Sequence, residues 1–397
     1  MTTMNLQTQK NKIQLLLNSF PFQKFHKAPD LHTLYNEFVE LINGNVEIGD
    51  ATFVDIYSYY AEPHRYYHGI SHIQELFGLI DKIKNDYSPD FIFNLRILAL
   101  FHDAEYNPRR DDNELQSAIL FKRFVEKHID GEMHAHVLGL RFEEIYQAIL
   151  ETKTHESKSE LSEVFCALDM YVISHYPFQE LLKYEHGIFK EYQFIPYHQY
   201  KVARADVLKK LNKDFNRKEI DNLIEYVEFR TPKVGVYAGS FRPFHIGHAD
   251  ILHEAEKMFD KVIIARGVNP SKESSTEFLT NLEETFPFNE VGNFTGYIFD
   301  YLNSLQQTGV EAYYIKGLRN SADYESQAKE DSYNRYLYTN RYLNKYDVKG
   351  IVPMKTVCIL GSKMFSHISS SDIRIMEKIE SGSGNSLIYK ERKYQKL

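Results

Sequence analysis

The sequence predicts two domains of different class: an all-α domain, then an α/β domain built on a parallel sheet. Three observations lead there. The chain has 397 residues, more than twice a usual domain, so two separate cores are expected. From Ile13 to about Tyr226 apolar residues recur every three or four positions, as in Phe91, Leu95, Leu98 and Phe101, and hardly any stretch alternates with period two. After Thr231-Pro232 the pattern changes to short β-rich runs at Val234–Tyr237, Lys261–Ala265, Ala312–Ile315 and Thr356–Leu360, with helical segments between them. Strand alternating with helix implies βαβ units and a sheet covered on both faces. The boundary is expected near residues 226 to 232, giving a helical domain 1–228 and an α/β domain 229–397. Thirteen of the 17 histidines precede it, which suggests separate chemistries for the two halves.

Composition narrows the function. Hydrophobic residues make up 43% and charged residues 26%, the balance of an ordinary folded protein. Lys plus Arg number 47 against 55 Asp plus Glu, a formal charge of -8, so no positive field exists to hold a polynucleotide and nucleic acid is not an expected partner. Cys166 and Cys358 are too few and too far apart for a disulfide framework or a thiolate zinc site. The N-terminus lacks the pattern of a signal peptide and no apolar run reaches spanning length. A cytoplasmic protein without a membrane partner is the expectation. The Gly/Ser-rich piece Ser381-Gly-Ser-Gly-Asn385 is read as a flexible link.

In the second half, Gly235-Val-Tyr-Ala-Gly-Ser-Phe-Arg-Pro-Phe-His-Ile-Gly-His248 runs from a strand through a Gly/Pro loop into a helix starting near Ile246. Small residues let backbone amides approach an anion, and the helix N-terminus adds roughly half a positive charge. His245 and His248, three apart in the first turn, would face that anion and stabilise charge on a transferred phosphoryl group. Asn269-Pro-Ser-Lys272, Lys316-Gly-Leu-Arg319 and Ile368-Ser-Ser-Ser-Asp-Ile-Arg374 each follow a strand end. In open α/β sheets such turns converge on one crevice.

On these residues the segment 233–378 resembles the nucleotidylyltransferase superfamily with the His-x-Gly-His signature, and within it the phosphopantetheine adenylyltransferases. The resemblance implies a Rossmann-like fold and transfer of AMP from Mg-ATP to a phosphate monoester, with 4′-phosphopantetheine giving dephospho-CoA and pyrophosphate. It implies that His248, Lys272 and Arg319 carry catalysis, Lys272 by bridging the two substrates. Gly239, Ser240, Phe241, His245, Lys316 and Gly317 would bind substrate, Asp323 and Glu325 would follow Arg319 in the family stretch, and Ser369, Ser370 and Ser371 would close on the triphosphate with Arg374 near. Arg242, His245, Lys316 and Gln327 stand where the family usually has Asp, Thr, Arg and Glu. The first motif is closer to that of nicotinamide mononucleotide adenylyltransferases, so this acceptor stays open beside phosphopantetheine. The pantetheine family forms hexamers, which makes a homo-oligomer compatible with the resemblance.

In the first half, His68 and His72 are four apart on one helical face, His102-Asp103 ends an apolar helix, and Asp169 lies on a third helical segment. Nitrogen and oxygen donors without thiolate suit Zn, Fe, Mn, Co or Mg. Together with Glu62-Pro63-x-Arg65-x-Tyr67, Asp112-Asn-Glu-x-x-Ser-Ala118 and Thr152-Lys-Thr-His155, these residues make the stretch from Tyr60 to about Leu211 resemble the HD-domain superfamily of metal-dependent phosphohydrolases. The resemblance implies that His72, His102, Asp103 and Asp169 bind a divalent metal and that His68 is the general acid. Glu114 and Lys153 would orient water and bind phosphate. Ala-Leu-Asp-Met replaces the usual Asp-x-Asp-Leu around Asp169.

The expectation for the whole chain is a two-activity enzyme, a hydrolase fused to a transferase, acting on ATP and a small phosphorylated acceptor. A reading of a different class makes one half a ligand sensor or assembly module without turnover.

Overall fold

The helix Pro89–Phe101 is apolar over most of its surface, and nine of its 13 residues are buried, from Phe91 and Ile92 to Leu100 and Phe101. Ser88 starts it by accepting the N–H of Phe91 at 3.2 Å, and Pro89 sits in the first turn, where a missing N–H costs nothing. The helices Ile70–Ile83, Asn113–His128, Phe142–Glu151 and Glu160–Asp169 pack around it. Their inward residues, among them Leu76, Ile80, Phe121, Ile149 and Phe165, join its face in one core. Shorter and longer helices continue to Lys218–Phe229.

These features come from a computed structural model, which describes residues 56, 58–128, 139–268, 279–343 and 354–390. The described residues divide into two compact units, one taking those up to Glu191 with Asn212–Leu223, the other Tyr192–Leu211 with those from Ile224 to Lys390. No helix among the described residues is long and apolar enough to cross a membrane.

The second unit is built on five parallel strands, β1 (Lys233–Gly239), β2 (Lys261–Val268), β3 (Glu290–Thr295), β4 (Glu311–Leu318) and β5 (Lys355–Leu360), in the order β3-β2-β1-β4-β5. β1 is central: Val236 pairs with Ile263 of β2 on one side and with Tyr314 of β4 on the other. Val234, Val236, Val262, Ile264 and Ile315 are buried, as strands covered on both faces require. The sheet has one strand more than the sequence pattern announces. β3 is an edge strand with Gly292 and Asn293 in it and no fully buried residue, so its apolar signal is weak. The chain reverses direction of winding between β1 and β4, the place where α/β sheets open a crevice.

Candidate functional site

A cavity of about 390 Å³ opens at the carboxyl ends of β1, β4 and β5. Gly239 brings in the end of β1, Lys316, Gly317 and Arg319 the end of β4, and Gly361 and Ser362 the turn after β5. Two helix starts complete it: His245 and His248 at the helix Ile246–Met258, and Ser369 and Ser370 at the helix Ser370–Ile379. Both helices begin at the space, so the positive ends of their dipoles favour an anion there. The backbone lies close there for want of side chains. A Cβ on Gly317 would come within 2.8 Å of Ile251.

His245 is the N-cap of its helix, with extended backbone. Its Nδ1 accepts the N–H of His248 at 3.3 Å, and Nδ1 of His248 accepts the N–H of His245 at 3.2 Å. This is the reciprocal capping arrangement with two imidazoles in place of hydroxyl and carboxylate. Since each Nδ1 is an acceptor, each neutral ring carries its proton on Nε2. Burial, and then the Arg319 guanidinium, pulls His245 down to about 4. Burial, then His245 and Arg319, holds His248 well below the ordinary imidazole range. The pair therefore presents two uncharged N–H donors at neutral pH. Positive charge comes from Arg319, which grips Asp323 at 2.9 and 3.1 Å, and from Lys316, 3.3 Å from Glu330.

Of the residues singled out in the sequence, Gly239, Phe241, His245, His248, Lys316, Gly317, Arg319, Asp323, Ser369 and Ser370 line this cavity. Ser240, Glu325 and Ser371 are exposed outside its lining. Arg374 also lies outside the lining and spends its donors on the carbonyl of Arg242, at 2.5 Å, and on Ser371 Oγ, at 3.0 Å. Lys272, with Asn269-Pro-Ser before it, lies outside the described residues. Sequence reasoning missed Asp250, which lines the cavity and accepts the N–H of Ser362 at 2.8 Å. Its position one turn into the helix, two residues after His248, was the available signal.

In the helical unit, ligand atoms of His72, His102 and Asp169 lie within 4.8 Å of one another. His72 reaches in from the helix Ile70–Ile83, His102 from the end of Pro89–Phe101, and Asp169 from the end of Glu160–Asp169. Asp103 Oδ2 stands 3.1 Å from His102 Nε2. Nδ1 of His102 donates to the carbonyl of Ala99 at 2.9 Å, which turns Nε2 toward the cluster. Burial opposes a charge on His102, but Asp103 and Asp169 outweigh it and lift the imidazole to about 9. An imidazole nitrogen turned to two carboxylates, in a field that favours positive charge, fits a divalent cation, which would take the place of the Nε2 proton.

His68 lies beside this cluster. Its Nδ1 is 2.7 Å from Glu191 Oε2, and the other oxygen of Glu191 accepts the N–H groups of Tyr67 and His68 at 2.7 and 2.8 Å. Burial works against a proton on His68, Glu191 favours it, and the net shift is upward. Tyr106 also donates to Glu191, at 2.8 Å. Glu191 was missed in the sequence because it is more than a hundred residues from His68 and belongs to no local pattern. Lys153 is 4.0 Å from Glu114 and donates to the carbonyl of Asp111. His155, from the Thr-Lys-Thr-His stretch, is 3.4 Å from the outer oxygen of Asp169.

Comparison with known proteins covers the sheet unit. The cytidylyltransferase-like family model matches residues 236–376. A phosphopantetheine adenylyltransferase of Cytophaga hutchinsonii is 31% identical over 164 residues, 40% of this chain and 98% of its own length. Those of Clostridium kluyveri and Clostridium perfringens are 30% and 34% identical over 145 and 148 residues, covering 35% and 36% of this chain and 78% and 80% of their own.

Proposed function

Since its C-terminal half belongs to the phosphopantetheine adenylyltransferase family, we propose that this chain transfers AMP from ATP to 4′-phosphopantetheine, forming dephospho-CoA and releasing pyrophosphate. The observation that carries this reading is the convergence of His245, His248, Lys316 and Arg319 on one cavity at the strand ends. The acceptor's phosphate oxygen attacks the α-phosphorus of ATP as the bond to pyrophosphate breaks. Negative charge grows on the bridging and equatorial oxygens, where the Nε2–H groups of His245 and His248 and the cation of Arg319 meet it. The imidazoles need no proton change to act. Mg²⁺ accompanies the triphosphate. Lys272 is assigned to the bridge between substrates, Gly239, Ser240, Phe241, Gly317, Asp323 and Glu325 to the nucleotide and acceptor walls, and Ser369, Ser370, Ser371 and Arg374 to the triphosphate end.

For the N-terminal half, residues 1–228, we propose an HD-type phosphohydrolase acting on a small phosphoester, with the α/β domain taken as 229–397. His72, His102, Asp103 and Asp169 would hold the divalent ion. When bound, such an ion supplies Lewis-acid charge to a phosphate ester. His68, oriented by Glu191, delivers a proton to the departing oxygen.

The first reading is tested by offering ATP with each acceptor and following pyrophosphate. His245 and Arg242 in the first motif favour nicotinamide mononucleotide, so a kcat/KM for that acceptor above that for phosphopantetheine would replace the acceptor. Hydrolysis is tested with generic phosphoesters and Mn²⁺, Mg²⁺ or Zn²⁺. Binding without turnover would make the helical half a sensor.

A further inference from the structure

The loop that carries His245 is held by residues from far along the chain. Phe241 enters it with φ at 48°, in the left-handed region that side chains avoid. Arg374 and Ser370 bind the carbonyls of Arg242 and Pro243, and Thr280 accepts the N–H of Phe244 at 2.8 Å. The next two groups are taken by the end of the chain. Tyr389 donates its N–H to the carbonyl of Phe244 at 3.1 Å, and the carbonyl of Leu387 accepts the N–H of Ile246 at 3.0 Å. These bonds flank an antiparallel bridge between His245 and Ile388. The Tyr389 ring lies parallel to Phe286, centroids 5.5 Å apart, and meets Phe244 edge to face at 5.8 Å.

The segment leading there is also fixed. Glu377 accepts the N–H groups of Gly382 and Gly384, both at 2.8 Å. The Gly/Ser-rich piece read from sequence as a flexible link is thus a bound turn, because its glycine amides can crowd one carboxylate.

We propose that residues 387–389 are a positioning strand for the adenylyl-transfer site, setting the orientation and tautomer of His245 and His248. Reciprocal capping requires His245 to be extended, at φ -123° and ψ 170°. The bridge to Ile388 enforces that conformation on both sides of His245. With it, both Nδ1 atoms are committed to backbone N–H groups, and each ring that lines the cavity keeps its proton on Nε2. Without it, the cap can open and each ring is free to turn or to move its proton to Nδ1. The catalytic part of this inference rests on the adenylyltransferase reading; the tautomer part does not.

The test uses the full chain, a chain ending at Ser386, and the variants Tyr389→Pro, which removes one bridging N–H, and Tyr389→Phe, which keeps it. With ¹⁵N-labelled histidine in the free protein, wild type and Tyr389→Phe should show His245 and His248 as Nε2–H tautomers. Tyr389→Pro and the shortened chain should show mixed tautomers. Their kcat should fall at least about tenfold, the scale on which small misplacements act, with the KM for acceptor little changed. A synthetic peptide of residues 385–397 should restore part of the kcat to the shortened chain. Unchanged tautomers in Tyr389→Pro would overturn the proposal whatever the activity. A wild type inactive toward every phosphate monoester would remove the adenylyltransferase reading, and the imidazole measurement would still decide this one.

Discussion

The imidazoles of His245 and His248 lie face to face, ring centroids 3.6 Å apart and planes 22° from parallel. At that separation two protonated rings would repel strongly, and burial beside Arg319 disfavours even one proton. The pair is an uncharged double donor, which sets its chemistry apart from that of Lys316 and Arg319.

On the proposed adenylyl transfer, replacing one donor would remove stabilisation of charge that grows only in the transition state. His248→Ala should lower kcat/KM for adenylyl transfer by about a hundredfold or more, the usual effect of losing one preorganised donor. Phosphoester hydrolysis by the same variant should match wild type. Both rates are measured on one preparation, and equal loss of the two with the fold intact would contradict separate sites.

The buried imidazole also makes stability depend on pH. In the unfolded chain His245 binds a proton near its ordinary value of 6.5; in the folded chain it does so only near 4. Between these values the unfolded state holds more protons, so stability should fall as pH drops from 6.5 toward 4 and be insensitive to this group above 6.5. Denaturation curves for wild type and His245→Asn should diverge in that window, wild type showing the steeper loss. An NMR midpoint near 6.5 for His245 in the free protein would refute the assignment.

Asp103→Ala should lower the stoichiometry of bound Mn²⁺ or Zn²⁺ on the full chain, because a methyl group cannot replace a carboxylate ligand. Hydrolysis should disappear with it, and adenylyl transfer should persist. Full metal occupancy in this variant would take Asp103 out of the ligand set.

Gly317→Ala adds a methyl where Ile251 Cγ1 would be 2.8 Å away. Overpacking of this kind costs about 1–3 kcal/mol. The penalty should shrink in an Ile251→Ala background, where the three crowding atoms are gone, and a double-mutant cycle from denaturant melts reads that coupling. Strictly additive losses would mean that the crowding is relieved elsewhere.

Strands whose residues are buried on both faces were legible in the sequence, because Val-Gly-Val-Tyr and Val-Ile-Ile-Ala have no polar position to hide. β3 was not, since an edge strand is free to carry Glu, Gly and Asn. His245 and His248 were legible through their spacing at a helix start; their mutual capping was not, because it depends on a backbone angle fixed by residues near 388. The same holds for Glu191, whose partners His68 and Tyr106 are brought to it only by tertiary packing. Local pattern reveals which residues can do chemistry, and long-range backbone pairing decides which protonation state they do it in.

The placing of β1 between β2 and β4 has a consequence for synthesis. β1 leaves the ribosome before any other strand, yet Lys233 finds its partner Glu311 only after β2 and β3 have been made. At about 5–20 residues per second the interval is on the order of ten seconds. Through it the nascent chain carries an apolar strand, Val234 to Tyr237, with one edge unsatisfied and open to another chain in the same state. Polysomes translating this message concentrate such edges, so slow decoding between residues 296 and 310 should favour aggregation, and a chaperone that shields β1 would be needed only until β4 emerges.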